Sequence, residues 1–159
     1  MHGDTIMINL HLGNIGQIIQ LAIAPVFLLT GVGTNLTVLT NRLARIIDRS
    51  RALEEIVSEQ GEKKLTPNMR IELDELYQRS HLINRAITLS STCALLVCLV
   101  IAALFLGDAL DIHLDKIIAS LFVLAVLALV GSFIFFLREI FVATKTLRRQ
   151  REQGAKFLP

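Results

Sequence analysis

The sequence predicts an all-α integral membrane protein: three transmembrane helices, with a cytoplasmic antiparallel helical hairpin between the first and second spans. Three observations carry this. Three long runs are free of Asp, Glu, Lys and Arg, each close to the roughly 20 residues that a hydrocarbon core requires. Clusters of Arg follow the first and third runs at once. Between the first two runs, apolar residues recur at alternating spacings of three and four, the period of a helix with one buried seam. Composition agrees, since 53% hydrophobic residues and a mean hydropathy of +0.58 over 159 residues exceed what an ordinary soluble domain carries.

The boundaries follow from charge and breakers. Residues 1–14 form a short segment without Lys or Arg, so the positive n-region of a cleaved signal is missing and no leader is expected. The first span covers 15–41. Pro25 should bend it, because it removes one helical N–H and crowds the carbonyl four residues earlier. In its second half Thr30, Thr34, Thr37 and Asn41 follow at spacings of four, three and four. That polar face serves either as interhelical hydrogen-bonding glue or, in an oligomer, as a pore lining. Gly31 and Gly33 lie beside it.

Residues 42–85 form the hairpin. Leu43, Ile46, Ser50, Leu53 and Val57 make one stripe, and Met69, Leu73, Leu76, Ser80, Ile83 and Ile87 the other. Gly61 is a natural stop for the first arm, and Thr66 with Pro67 a natural start for the second. Two arms of opposite direction, each with a narrow apolar seam, should pair as in a coiled coil. Span and first arm together, Ile15 to Gln60, would reach about 69 Å at ~1.5 Å per residue.

The second span is 86–107. Ser90, Ala94, Cys98 and Ala102 step by four and define a small-residue packing face. Asn84, Thr88 and Ser91 give it a polar shoulder expected to hydrogen-bond the polar face of the first span. Cys93 and Cys98, five residues apart, point in different directions, which disfavours a disulfide or a metal pair. The outer loop, 108–116, is acidic but lacks the ligand spacing of a calcium site. The third span, 117–138, runs into a basic tail, 139–159.

Lys and Arg number nine from Arg42 to Arg85, six from Arg138 onward, and one in the outer loop. Positive charge concentrates on the cytoplasmic side of membrane proteins, so the hairpin and C-terminus are expected inside and the N-terminus outside. Arg49, Lys145, Arg148, Arg149 and Arg151 are candidate contacts for anionic lipid headgroups. These bases sit close to a span and lack interleaved aromatics, which argues against nucleic acid.

Glu139 is the other informative charge. It follows Phe135 and Phe136 at the inner boundary of the third span, where a short acidic side chain is better held inside the bundle with a cation than left against lipid. Arg45, or failing that Arg42, stands at the same depth on the first helix and is the expected partner. The pair would lock the third span to the root of the hairpin.

The segments NRLARIIDRSR after the first apolar run, YQRSHLINRAI entering the second and FLREIFVATKTL closing the third resemble the bacterial membrane family catalogued as domain of unknown function 2721. The resemblance covers roughly residues 18–148. It implies a three-span protein of the bacterial inner membrane and brings no activity, substrate or cofactor.

An enzyme would need a nucleophile with its base, paired acid and base groups, or a metal cluster. The sequence offers none of these, so neither catalysis nor a metal or other cofactor is expected. What remains is a self-associating scaffold or interaction subunit with a cytoplasmic docking hairpin, or a homo-oligomeric ion channel lined by the Thr30, Thr34, Thr37, Asn41 face. The partners expected are the bilayer, further copies of the chain, and a cytoplasmic protein reached through the hairpin.

Overall fold

The computed structural model describes residues 3–60, 67–110, 112 and 114–155, with side chains described for 16–58, 69–110, 112 and 114–144. Three helices account for nearly all of it: α1 Gly3–Gln60, α2 Pro67–Ala109 and α3 Asp115–Ala155. No strand occurs among the described residues. Each helix contains a stretch long and apolar enough to cross a membrane, within Gly16–Ser58, Met69–Ala109 and Asp115–Thr144. Helix α1 begins well before the expected span and is continuous from it into the hairpin arm. Pro25 interrupts nothing in the assignment of α1, and its ring is buried. The expected stop at Gly61 and cap at Thr66 fall outside the described residues.

The chain divides into two compact units. One combines Met1–Thr34 with Ser91–Leu129. Its buried positions are mostly small: Ala22 and Val32 on α1, Cys93, Val97 and Val100 on α2, Ala125 on α3. Its exposed positions are large and apolar, with Phe27 74% and Leu95 67% exposed. That inverts the arrangement of a water-soluble domain and suits helices whose backbones approach closely while their bulky side chains meet lipid. At the α2–α3 connection, Ile112 N–H donates to the Gly107 carbonyl at 2.9 Å. A Cβ on Gly107 would lie 3.3 Å from the Ile112 carbonyl oxygen, which explains glycine there.

The other unit combines Asn35–Ser90 with Val130–Pro159. The two apolar stripes meet here: Leu39, Ile46 and Leu53 of α1 form one buried cluster with Leu76, Ile83 and Ala86 of α2. Leu43, Met69, Leu73 and Ile87 flank it, and α3 adds Phe135 and Phe136. The sevenfold spacing of 39, 46 and 53, and of 69, 76 and 83, brings each side chain back to the same helix face. Two polar contacts tie the arms at their rims. Arg49 Nε donates to Glu72 Oε1 at 2.9 Å, and Tyr77 Oη donates to Glu54 Oε1 at 2.7 Å. Both are exposed, so each adds little stability beyond fixing register.

The four-residue steps of Ser90, Ala94, Cys98 and Ala102 do not stay inside. Ser90 is buried, Ala94 half-buried, Cys98 and Ala102 exposed. Four residues turn a helix about 400°, so a line of such steps drifts about 40° each time. The buried line instead alternates three and four through Ile83, Ala86, Ser90, Cys93, Val97 and Val100.

Candidate functional site

Within the second unit, each helix places one small polar side chain at the same level of the interior: Asn35 on α1, Ser90 on α2, Ser132 on α3. All three are buried. The Ser132 hydroxyl donates to the Ala86 carbonyl at 2.8 Å. Its proton is thereby committed, so in the 2.7 Å contact between the two serines Ser90 is the donor. Asn35 Nδ2 then donates to Ser90 Oγ at 2.9 Å and, at the long limit of 3.5 Å, to Ser132 Oγ. The hydroxyl protons all find acceptors, as buried polar groups in a low-dielectric interior require. Close approach of α2 and α3 makes this possible: a Cβ on Gly131 would collide with Leu89 Cδ2.

Seven residues along α1 from Asn35 stands Arg42, and seven along α3 from Ser132 stands Glu139. Two helical turns advance the chain about 10 Å while preserving the face. The second polar layer is therefore charged, and α2 completes it with Arg79. Glu139 is fully buried, and its Oε1 accepts from Arg79 Nε at 3.0 Å and Nη2 at 2.9 Å. Arg42 Nη2 lies 2.9 Å from Oε2. That contact is an ion pair without hydrogen-bonding direction, for Oε2 receives no hydrogen bond among the described residues. The Arg42 guanidinium also lies over the Phe136 ring, 5.3 Å from its centroid, and Arg85 lies 5.9 Å from that of Phe135. Cation–π contact of this kind holds a guanidinium in place while its edge remains free to bond. Leu39, Ile83, Ala86, Phe135 and Phe136 fill the space between the polar layers.

Arg45, the partner expected first for Glu139, is exposed and makes no ion pair among the described residues. It is three residues past Arg42, about 300° around the helix, which carries it off the α3 side. The height of Arg79 relative to Glu139 depends on the turn between α1 and α2, so the sequence alone does not bring the two together. The signal for Arg79 was the sevenfold series 69, 76, 83, which puts residue 79 beside the buried seam.

On the outer side of the hairpin root, Arg42, Arg45 and Arg49 of α1 and Arg79 of α2 line an open cleft of about 420 Å³, with Ile46 and Leu76 completing its wall. Arg49 is anchored by Glu72. Lys145, Arg148, Arg149 and Arg151 belong to α3, but their side chains lie outside the described residues.

The Thr30, Thr34, Thr37, Asn41 face is exposed along its length. Thr30 and Thr34 hydroxyls donate to carbonyls one turn back, of Val26 and Thr30, and Thr88 does likewise to Asn84. Asn35, on the adjoining line of α1, hydrogen-bonds to Ser90 of α2. Its line, Val32, Asn35, Leu39 and Ile46, is the one α1 buries. Cys93 is buried and Cys98 exposed, both as free thiols. Among the described residues, no three of His, Cys, Asp and Glu converge as a metal site would need.

A family model described as "Protein of unknown function (DUF2721)" matches residues 22–149. No curated protein and no solved structure matches the chain.

Proposed function

We propose that this chain, which belongs to the DUF2721 family of unknown function, is a non-catalytic multi-pass membrane protein that self-associates and presents the 42–85 hairpin as a docking arm. In this reading it lies in the bacterial inner membrane with the N-terminus outside and hairpin and C-terminus in the cytoplasm, as the distribution of Lys and Arg implies. Three helices long and apolar enough to span a bilayer support the membrane part.

The observation that carries self-association is the exposed row Thr30, Thr34, Thr37 and Asn41 in an otherwise apolar stretch. Hydroxyl and amide groups set against lipid favour contact with protein or water. A second copy supplies protein, and several copies arranged around this row would enclose water. The latter is the second reading, a homo-oligomeric ion channel, favoured by the same row. The subunit's own interior, filled at this level by Asn35, Ser90 and Ser132, argues against conduction through a single copy.

Size measurement in nanodiscs with Thr34→Cys crosslinking tests both. Self-association predicts a crosslinked dimer or larger ring, and Thr34→Leu should weaken it. A monomer without crosslinks contradicts both readings, and ion flux in liposomes separates channel from scaffold. Orientation is tested by cysteine labelling: sites in Asp108–Asp115 should react from outside and sites near Lys63 only after permeabilisation. The reverse pattern would overturn the cytoplasmic hairpin.

A further inference from the structure

The cleft beside the hairpin root concentrates positive charge in a way that neither the apolar seam nor the buried Glu139 requires. Its lining includes four arginines and no carboxylate. Three of the four are held by carboxylates outside the lining. Glu139 takes Arg42 and two N–H groups of Arg79, and Glu72 takes Nε and Nη2 of Arg49. A guanidinium has five N–H donors in a fixed fork, so each of these retains donors for a ligand after its carboxylate is satisfied. Arg45, exposed and without an ion pair among the described residues, closes the set. Ordered guanidiniums lose little freedom when a ligand arrives, and planar forks match tetrahedral oxyanions.

We infer that Arg42, Arg45, Arg49 and Arg79 form a binding site for a phosphate-bearing anion, and its position favours the headgroup phosphate of an anionic phospholipid. The cleft starts at Arg42, the first charged residue after the uncharged stretch Thr5–Asn41, and extends two turns to Arg49. In a membrane-spanning helix that is the level of the headgroups. The site requires the membrane reading but not self-association, so the failure of one leaves the other standing.

The test uses the whole chain in nanodiscs of phosphatidylcholine, with or without phosphatidylglycerol, followed by native mass spectrometry of retained lipid. Arg45→Gln/Arg49→Gln removes two cleft charges without touching the Glu139 contacts. Arg51→Gln/Arg70→Gln removes the same charge from exposed positions of the same two helices outside the cleft. Retention of phosphatidylglycerol should fall about tenfold or more in the first variant, as expected for losing charge-assisted hydrogen bonds, and less than about twofold in the second. Inorganic diphosphate distinguishes the source. If it raises the melting temperature of the wild type but not of Arg45→Gln/Arg49→Gln, and displaces phosphatidylglycerol, a free phosphate is the ligand. If it does neither while the lipid result holds, the ligand is the headgroup. Equal losses in the two double variants would reduce the effect to diffuse adsorption and overturn the site. So would a wild type that retains phosphatidylglycerol no better than phosphatidylcholine and does not respond to diphosphate.

Discussion

The two polar layers of the second unit draw on the same three helices, about two turns apart, and solve the same problem differently. The Asn35, Ser90, Ser132 layer is neutral, small and directional: each hydroxyl proton has one acceptor. The Arg42, Arg79, Glu139 layer is ionic and lopsided, with a carboxylate at 0% side-chain exposure between guanidiniums that remain 33% and 22% exposed. A neutral network can be lost one bond at a time. A buried carboxylate cannot, because an isolated charge in a low-dielectric interior costs far more than an unmade hydrogen bond. The charged layer should therefore dominate the stability of the unit, while the neutral one sets how the helices fit together.

That difference can be broken from its strong end first. Glu139→Ala leaves two arginines facing each other without their shared counter-ion. It should destabilise by about 3 kcal/mol, the lower end of the cost of breaking a buried pair, discounted for the partly exposed cations. Thermal unfolding in detergent would show a clear drop in melting temperature. An unchanged melting temperature would mean that the carboxylate is dispensable.

Leu53→Asp should come next, at about 2 kcal/mol or more, because it sets a charge into the apolar seam between α1 and α2. Hydrogen exchange across Leu43–Ile83 should accelerate, and unchanged exchange would contradict the paired arms. Ser132→Ala removes the centre of the neutral layer and should cost about 1 kcal/mol, since polar contacts between membrane helices are individually modest. An effect as large as that of Glu139→Ala would erase the contrast between the layers. Gly131→Ala forces Leu89 to move. The obstructing atom is a flexible side-chain end, so a penalty of about 1 kcal/mol or less is expected, with Leu89→Ala in the same chain restoring part of it.

The architecture was legible in the sequence because three uncharged runs have the length of a span and two apolar stripes carry a helical period, and both signals survive without knowledge of neighbours. The interior polar positions were harder to read. Thr30, Thr34, Thr37 and Asn41 outnumber Asn35 as a polar face of α1, yet the Thr30 and Thr34 hydroxyls can use carbonyls of their own helix, so the row need not turn toward α2 or α3. Asn35 is turned inward because it lies on the line of Val32, Leu39 and Ile46, the side of α1 that is buried, whereas Asn41 in the other row is exposed. Glu139 was identifiable as a buried anion from its place beside Phe135 and Phe136. Of its partners, Arg42 is legible as the second candidate and does pair with it, whereas azimuth excludes Arg45 and only the register of α2 against α3 brings in Arg79. The spacing of seven from Asn35 to Arg42 and from Ser132 to Glu139 was in plain view, and it becomes meaningful once one of the layers is known.

Double-mutant cycles on thermal stability would show whether Glu139 is the shared anchor of α1 and α2 on α3. Glu139→Gln would be combined in turn with Arg42→Gln, Arg79→Gln and Arg45→Gln. Coupling of about 1–2 kcal/mol is expected with Arg79, smaller but measurable coupling with Arg42, whose ion pair lacks hydrogen-bonding direction, and none with Arg45. Coupling indistinguishable from zero for both Arg42 and Arg79, or as large for Arg45 as for either, would contradict that anchoring role.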